Sequence, residues 1–330
     1  AEFPLVTNLF GTMDRVNAAF GERPTRFVER AVETVHAMPT PSLGGLWSLR
    51  GLARDAFRIG LKSKRSGPVT DVAEAPDLTR LPALTTWHGD GGPFFTLPLV
   101  YTQSPTTGKH NLGMYRMQVH APDTTGMHFQ IHKGGGFHLH EAEARGEDLP
   151  ATVFLGGPPA LILAAIAPLP EDVPELLLAS LLLGERLPVV RGRTAHPLVA
   201  GCEFAFHGRI LAGERRPEGP FGDHYGYDSL QHDYPVFVVD RVYRRRDAIV
   251  PATVVGRPRQ EDFYIGDYLQ ALLAPLFPVV MPGVLDLWSY GETGFHSLAA
   301  ARVKSRYAKE ALASGLRILG EGQLSLTKCL

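Results

Sequence analysis

Two carboxylates stand five residues apart in the run Glu218-Gly219-Pro220-Phe221-Gly222-Asp223-His224-Tyr225-Gly226-Tyr227. The intervening Gly-Pro-x-Gly is incompatible with a helix and describes a loop stiffened by Pro220 and shaped by Gly219 and Gly222. Carboxylates held on a rigid loop suit acid/base chemistry, because their surroundings can push their pKa values apart. A plain turn with exposed acids has the same composition. A second group is His110-Asn111-Leu112-Gly113-Met114-Tyr115-Arg116. In an ideal strand positions 111 and 116 face opposite sides, so both reach one site only if the chain bends, and Gly113 offers a place for that. A third is His128, His132, His138 and His140 around the glycines at 134–136. Strand alternation sets His128, Gln130 and His132 on one face. These imidazoles could bind a metal or simply be hydrogen-bonded, since zinc spacings such as HExxH are absent. The glycines could admit an anion to backbone amides or form a flexible turn. The fourth feature is Glu175, on an apolar helix over 173–183 with leucines at 176–178 and 181–183. A carboxylate there is costly if buried alone, so it lies at the solvent edge of the first turn or pairs with a cation.

The elements that must position these residues are mostly short strands. Strand patterning is found over 94–102, 112–119, 127–133, 152–155, 203–211 and 236–255. Helices are expected over 160–166 and 173–183. Helical patterning occupies 11–62, with breaks at Pro39 and Pro41, and a polar, Gly/Pro-marked stretch over 63–80 reads as a linker. Beyond 257, a helix at 261–276, a strand at 284–288 and a helix at about 301–318 suggest an α/β segment.

Composition removes several function classes. The net charge is −1, from 33 basic and 34 acidic residues, so no global field favours nucleic acid or an anionic membrane. The one basic run, Arg244-Arg245-Arg246, reads as a solvated strand edge. Cys202 and Cys329 form no CxxC pair, which argues against a disulfide framework or a cysteine zinc site and fits a reducing cytoplasm. The apolar run at 153–168 is broken by Gly156, Gly157, Pro158 and Pro159, so no integral membrane segment is expected. Both ends read as cuts inside a fold, with the N-terminal and C-terminal portions incomplete.

Taken together and in this order, the motifs resemble the UbiD family of decarboxylases, with Asn-Leu-Gly-x-Tyr-Arg at 111–116 and Glu-Gly-Pro-Phe-Gly-Asp-His at 218–224 matching almost letter for letter. The resemblance runs from Asn8-Leu9-Phe10-Gly11 to Lys328. It implies an α+β fold in which a central split β-barrel (81–256) binds prenylated FMN between an N-terminal α/β portion (1–80) and a C-terminal α/β domain (257–330). It implies metal ligands at Asn111, His132 and Glu175, binding Mn²⁺ or Mg²⁺, with K⁺ possible beside Glu175. O/N donors of this kind suit such hard ions. Cofactor contacts are implied at Thr96, Met114, Tyr115 and Lys328 together with Asn111, Arg116 and His132, and a catalytic triad at Arg116, Glu218 and Asp223. The implied reaction is non-oxidative, reversible decarboxylation of an aromatic or α,β-unsaturated acid, releasing CO₂, in a homodimer or homohexamer supplied with cofactor by a flavin prenyltransferase. The segment Leu287-Trp288-Ser289-Tyr290-Gly291-Glu292-Thr293-Gly294-Phe295-His296 resembles members associated with quinone biosynthesis. Two competing readings are a metallohydrolase built on His128, His132, His138 and His140, and a non-catalytic flavin-binding split-barrel module.

Overall fold

The computed structural model describes residues 2–37, 58–129, 134–167, 174–295, 297–320 and 322–330. Its centre is an antiparallel sheet. In chain order the main strands are β1 (Phe94–Phe95), β2 (Leu99–Gln103), β3 (His110–Met114), β4 (Met117–Ala121), β5 (Thr124–Gly126), β6 (Leu149–Leu155), β7 (Phe204–Glu218) and β8 (His232–Arg244). Their spatial order is β1-β4-β5-β8-β7-β6-β2-β3, and Val72–Glu74 adds to β8. The sheet curls into a half-barrel, so the split-barrel, α+β expectation is met.

Strand alternation explains why both faces are covered. Val100, Val153, Phe204 and Phe206 point into the barrel with Phe95, Met117, Met127 and Phe237. Their neighbours Leu99, Tyr101, Phe154 and Ala205 face a helical layer. That layer contains α1 (Met13–Phe20), α2 (Arg23–Ala37), α4 (Pro159–Ile166) and α5 (Glu175–Leu183); α3 (Gly134–Ala144) packs beside β2 and β3. Each fully buried Phe or Leu stabilises the fold by roughly 1.5–3 kcal/mol. Helix ends are marked locally: Thr12 accepts from the Arg15 amide to start α1, and Gly184 (φ 69°) ends α5, whose last carbonyl, that of Leu183, receives Arg23. A smaller C-terminal core of Met281, Val284, Leu287, Ala299 and Ile318 joins the hairpin Val284–Ser289/Ala299–Val303 to α7 (Glu310–Gly320).

Several sequence expectations are corrected. Residues 127–129 are not strand, 130–133 lie outside the described residues, and the glycine triplet opens α3. The part of the expected helical region at 38–57, with Pro39 and Pro41, also lies outside the described residues, as does His296. Residues 299–303 form a strand, and the last long helix begins only at Glu310. The 63–80 stretch is no bare linker: Leu61–Lys64 pairs in parallel with Leu187–Val190, and Val72–Glu74 pairs with β8. Arg244 is not a solvated edge residue; it donates to Glu74 at 2.8 Å and lies over the Phe3 ring. One helical run, Glu261–Val280, is long and apolar enough by length and composition to cross a bilayer, which the search for an unbroken apolar run missed. Here it is divided into α6 (Glu261–Leu273), a turn at Ala274–Leu276 and Phe277–Val280, and Phe263, Ile265, Tyr268 and Leu272 of α6 are buried.

Candidate active site

β7 runs seven residues beyond the strand end read from sequence, to Glu218, with irregular register between Ile210 and Arg215. Glu218 therefore sits in the ladder opposite His232, and the loop begins at Gly219. Neighbouring residues hold this loop from outside. Gln118 accepts the Gly219 amide at 2.8 Å, Asp90 accepts the Gly222 amide at 2.8 Å, and a Cβ at Gly222 would strike the Trp87 ring. Gly219 has φ 96°, a conformation that favours glycine.

Across from the loop, the chain bends between β3 and β4 at Tyr115 and Arg116, not at Gly113, which lies in regular pairing opposite Val100. Gly113 is needed because the Tyr115 ring folds back over it, leaving no room for a Cβ. The bend aims Arg116 at the loop. Its Nε donates to Glu218 Oε1 at 3.0 Å, Nη1 to Asp223 Oδ2 at 3.3 Å and Nη2 to Ser229 Oγ at 3.4 Å, while the guanidinium lies 4.4 Å from the Phe221 ring centroid. Glu218 is 1% exposed. Its Oε1 also meets His128 Nδ1 at 2.9 Å, and its Oε2 has no partner among the described residues. Asp223 is partly open to solvent. The expected triad is thus one contact group, a cation shared by a buried and a half-buried carboxylate.

A second cluster forms at the other end of the same segment. The Leu112 amide donates to Glu175 Oε2 at 3.0 Å, Asn111 lies against Gly134, and the Tyr115 hydroxyl is 3.5 Å from Asn111 Nδ2 and 3.4 Å from the Gly135 amide. Cβ atoms at Gly134 and Gly135 would collide with Asn111 and with the Phe129 ring, so the triplet lets the start of α3 approach these groups closely. Glu175 occupies the first turn of α5, and burial pushes its carboxyl up to about 7 against hydrogen bonds from its own and the Leu112 amides. It has no cationic partner among the described residues. A shielded carboxylate, an amide oxygen and a helix N-terminus fit a hard cation with an anionic group beside it. His132 lies outside the described residues, and among those described no three His, Cys, Asp or Glu converge to hold an ion.

Other expected contacts separate. Thr96 accepts the Thr253 amide at 2.8 Å; Met114 packs partly buried on the helical side. Lys328 is exposed, with its amide on the Ser297 carbonyl. His128 meets Glu218, His138 contacts Thr102 at 2.9 Å and His140 is exposed, so these three of the histidines expected in a hydrolase point to different places. Sequence reasoning missed Ser229 and Asp262, and it named His128 without linking it to Glu218. Asp262 lies 2.6 Å from His224 Nδ1 and 38 residues along the chain, with no local signal for the contact.

The half-barrel thus holds an arginine between two carboxylates, with oxygen donors nearby. Residues 61–258 match the UbiD 3-octaprenyl-4-hydroxybenzoate carboxy-lyase Rift-related domain and residues 263–330 the corresponding C-terminal domain, and the chain belongs to the UbiD family. An uncharacterized protein of Chlamydia trachomatis is 56% identical over 332 residues, covering 99% of this chain and 57% of its own length. A 4-hydroxybenzoate decarboxylase component of Chlamydia pneumoniae is 54% identical, with 100% of this chain and 56% of its own length covered. This chain therefore spans somewhat over half of these relatives. An evolved dimeric form of the UbiD-class enzyme HmfF from Pelotomaculum thermopropionicum, solved with prFMN, superposes with TM-score 0.77 at 25% identity, covering 96% of this chain and 71% of that one.

Proposed function

We propose that this chain forms the catalytic portion of a reversible, non-oxidative decarboxylase of aromatic or α,β-unsaturated acids that uses prenylated FMN and a divalent metal. The observation that carries this is Arg116 held between Glu218 and Asp223. The HmfF relative binds prFMN, which supports the cofactor. The family description and the chlamydial relative both point to a hydroxybenzoate-type substrate, in keeping with a role in quinone biosynthesis. A homodimer or homohexamer is the expected assembly, and the evolved HmfF form is dimeric.

When bound, the flavin would supply the sink for the electrons left as CO₂ departs. The rest is the work of this chain. Glu218 fixes the Nε edge of Arg116, and the Nη hydrogens not engaged by Asp223 and Ser229 can grip a substrate carboxylate. Asp223, at the open end of the pair, delivers the proton to the substrate carbon. Asn111, Glu175 and His132 would hold Mn²⁺ or Mg²⁺ against the flavin phosphate, with K⁺ beside Glu175, and Thr96, Met114, Tyr115 and Lys328 would line or anchor the cofactor.

The test is production with and without a flavin prenyltransferase. The co-expressed protein should carry prenylated FMN by mass spectrometry and release CO₂ from hydroxybenzoates, whereas protein loaded with plain FMN should not. Full turnover with unmodified FMN overturns the reading.

A further inference from the structure

We propose that His224 is a positioning residue that holds the proton Asp223 delivers, with Asp262 securing the imidazole from behind. This rests on the decarboxylase reading above. The ring lies between two carboxylates: Nδ1 is 2.6 Å from Asp262 Oδ2 and Nε2 is 3.5 Å from Asp223 Oδ1. The His224 amide donates to that same Asp223 oxygen at 2.8 Å, tying the two residues into one unit. Asp262 stands in the first turn of α6, where helix dipoles favour negative charge. Its Oδ1 is buried without a partner among the described residues, so the imidazole N–H is the donor that balances this carboxylate. Elsewhere around the ring, Arg116 acts from the β3–β4 bend and Arg257 packs against Gly226. Burial disfavours the imidazolium and Arg116 opposes it; the Asp262 hydrogen bond and the charges of Asp223 and Asp262 outweigh both, so the His224 pKa is raised. The carboxylate–imidazole–carboxylate line is the arrangement that keeps a histidine charged and oriented.

The proton count closes. A substrate carboxylate loses CO₂ and leaves an electron pair on carbon. The Asp223 O–H bond breaks as the C–H bond forms. Asp223 then takes the Nε2 proton of His224, whose Nδ1–H stays on Asp262, and solvent restores Nε2–H. One proton is consumed per CO₂ released, and nothing is oxidised or reduced.

The experiment has two arms on Asp262→Asn, with Asp262→Glu as the conservative control. By histidine NMR on the cofactor-free protein, His224 should titrate above about 6.5 in the wild type and about one unit or more lower in Asp262→Asn, with Asp262→Glu restoring it. In the loaded enzyme the alkaline limb of the kcat–pH profile should move down with it, with KM little changed and kcat on the acid side retained. An unshifted NMR titration overturns the His224–Asp262 pairing whatever the activity. A shifted titration with an unmoved kcat limb overturns the proton-holding role and leaves the decarboxylase reading standing. Absence of turnover in the loaded wild type removes both that reading and the role assigned to His224.

Discussion

The two ends of the 111–116 segment solve opposite electrostatic problems. At the Arg116 end a cation meets two carboxylates, an aromatic face and a hydroxyl, so its charge is answered within the chain. At the Asn111 end, Glu175 sits shielded, with backbone amides as its hydrogen-bond partners among the described residues and a carboxyl raised to about 7 by burial. The difference teaches that the arginine is answered within the chain, whereas among the described residues Glu175 is not, which is the charge the metal proposed above would answer.

Removing the arginine should show the largest effect. Arg116→Ala takes away the carboxylate grip and one expected cofactor contact and leaves Glu218 buried with His128 as its one side-chain partner among the described residues, so turnover should fall roughly 10³-fold or more while metal stays bound. Loss of metal together with turnover would mean that the two ends are one site. Asp223→Asn keeps the shape and removes the proton, so turnover should fall by roughly 10²-fold or more, with cofactor content unchanged. Deuterium incorporation from D₂O at the wild-type rate would move the donor role to Glu218.

At the other end, Gly134→Ala inserts a methyl where Asn111 Oδ1 now lies and should weaken Mn²⁺ binding by roughly tenfold. Added Mn²⁺ should raise the Tm of the wild type and not that of Glu175→Ala. Equal stabilisation of both proteins would break the comparison.

The smallest effect on turnover belongs to a third region, which must be known before any pH profile is read. His196 and His207 share the Thr152 hydroxyl under Tyr101, and burial, with the nearby His207 and His110 charges, pushes His196 down to about 4. An imidazole whose pKa is lower in the folded state than unfolded takes up protons on unfolding, so stability is full above about 6.5 and drains as pH falls toward 4, by up to ~3 kcal/mol. His196→Asn should flatten this slope in urea melts at pH 4–7 while leaving neutral-pH turnover within about twofold. An unchanged slope would show that other groups set the acid limit.

How far the sequence could be read follows from the range of the forces involved. Strand patterning made individual strands legible, because side-chain direction is fixed residue by residue, but their closure into a half-barrel was implied only by the resemblance to the UbiD family. The rigid loop was legible from its Gly-Pro-x-Gly turn chemistry, and the roles at 111–116 only from the family resemblance. The Gly134–Gly136 triplet, readable either as an anion-binding loop or as a flexible turn, opens a helix instead of a turn, and Gly134 and Gly135 there admit Asn111 and Phe129 at close range. The role of Gly113 was misplaced likewise, since the obstacle is the Tyr115 ring folding back. The extension of β7 to Glu218 was hidden because Arg215, Arg216 and Pro217 have poor strand propensity and owe their place to pairing with β8. Asp262 could not be found at all, being joined to His224 only by tertiary approach.

The join between ladder and loop falls between the two acids. Glu218 is the last rung of a long hairpin, whereas Asp223 hangs on the crest with Tyr227 (79% exposed) and Leu230 (74% exposed). One acid is an anchor and the other a rider. The contacts of Asp223, Ser229 and Phe221 with Arg116 all span the join at Gly219, whereas Glu218–Arg116 lies on the ladder alone. Amide deuterium uptake should therefore be slow along Phe204–Ile210 and fast over 224–230, and a bound aromatic acid should slow it only on the crest. On the decarboxylase reading proposed above, Glu218 keeps the arginine aimed from the ladder while Asp223 faces the substrate from the crest.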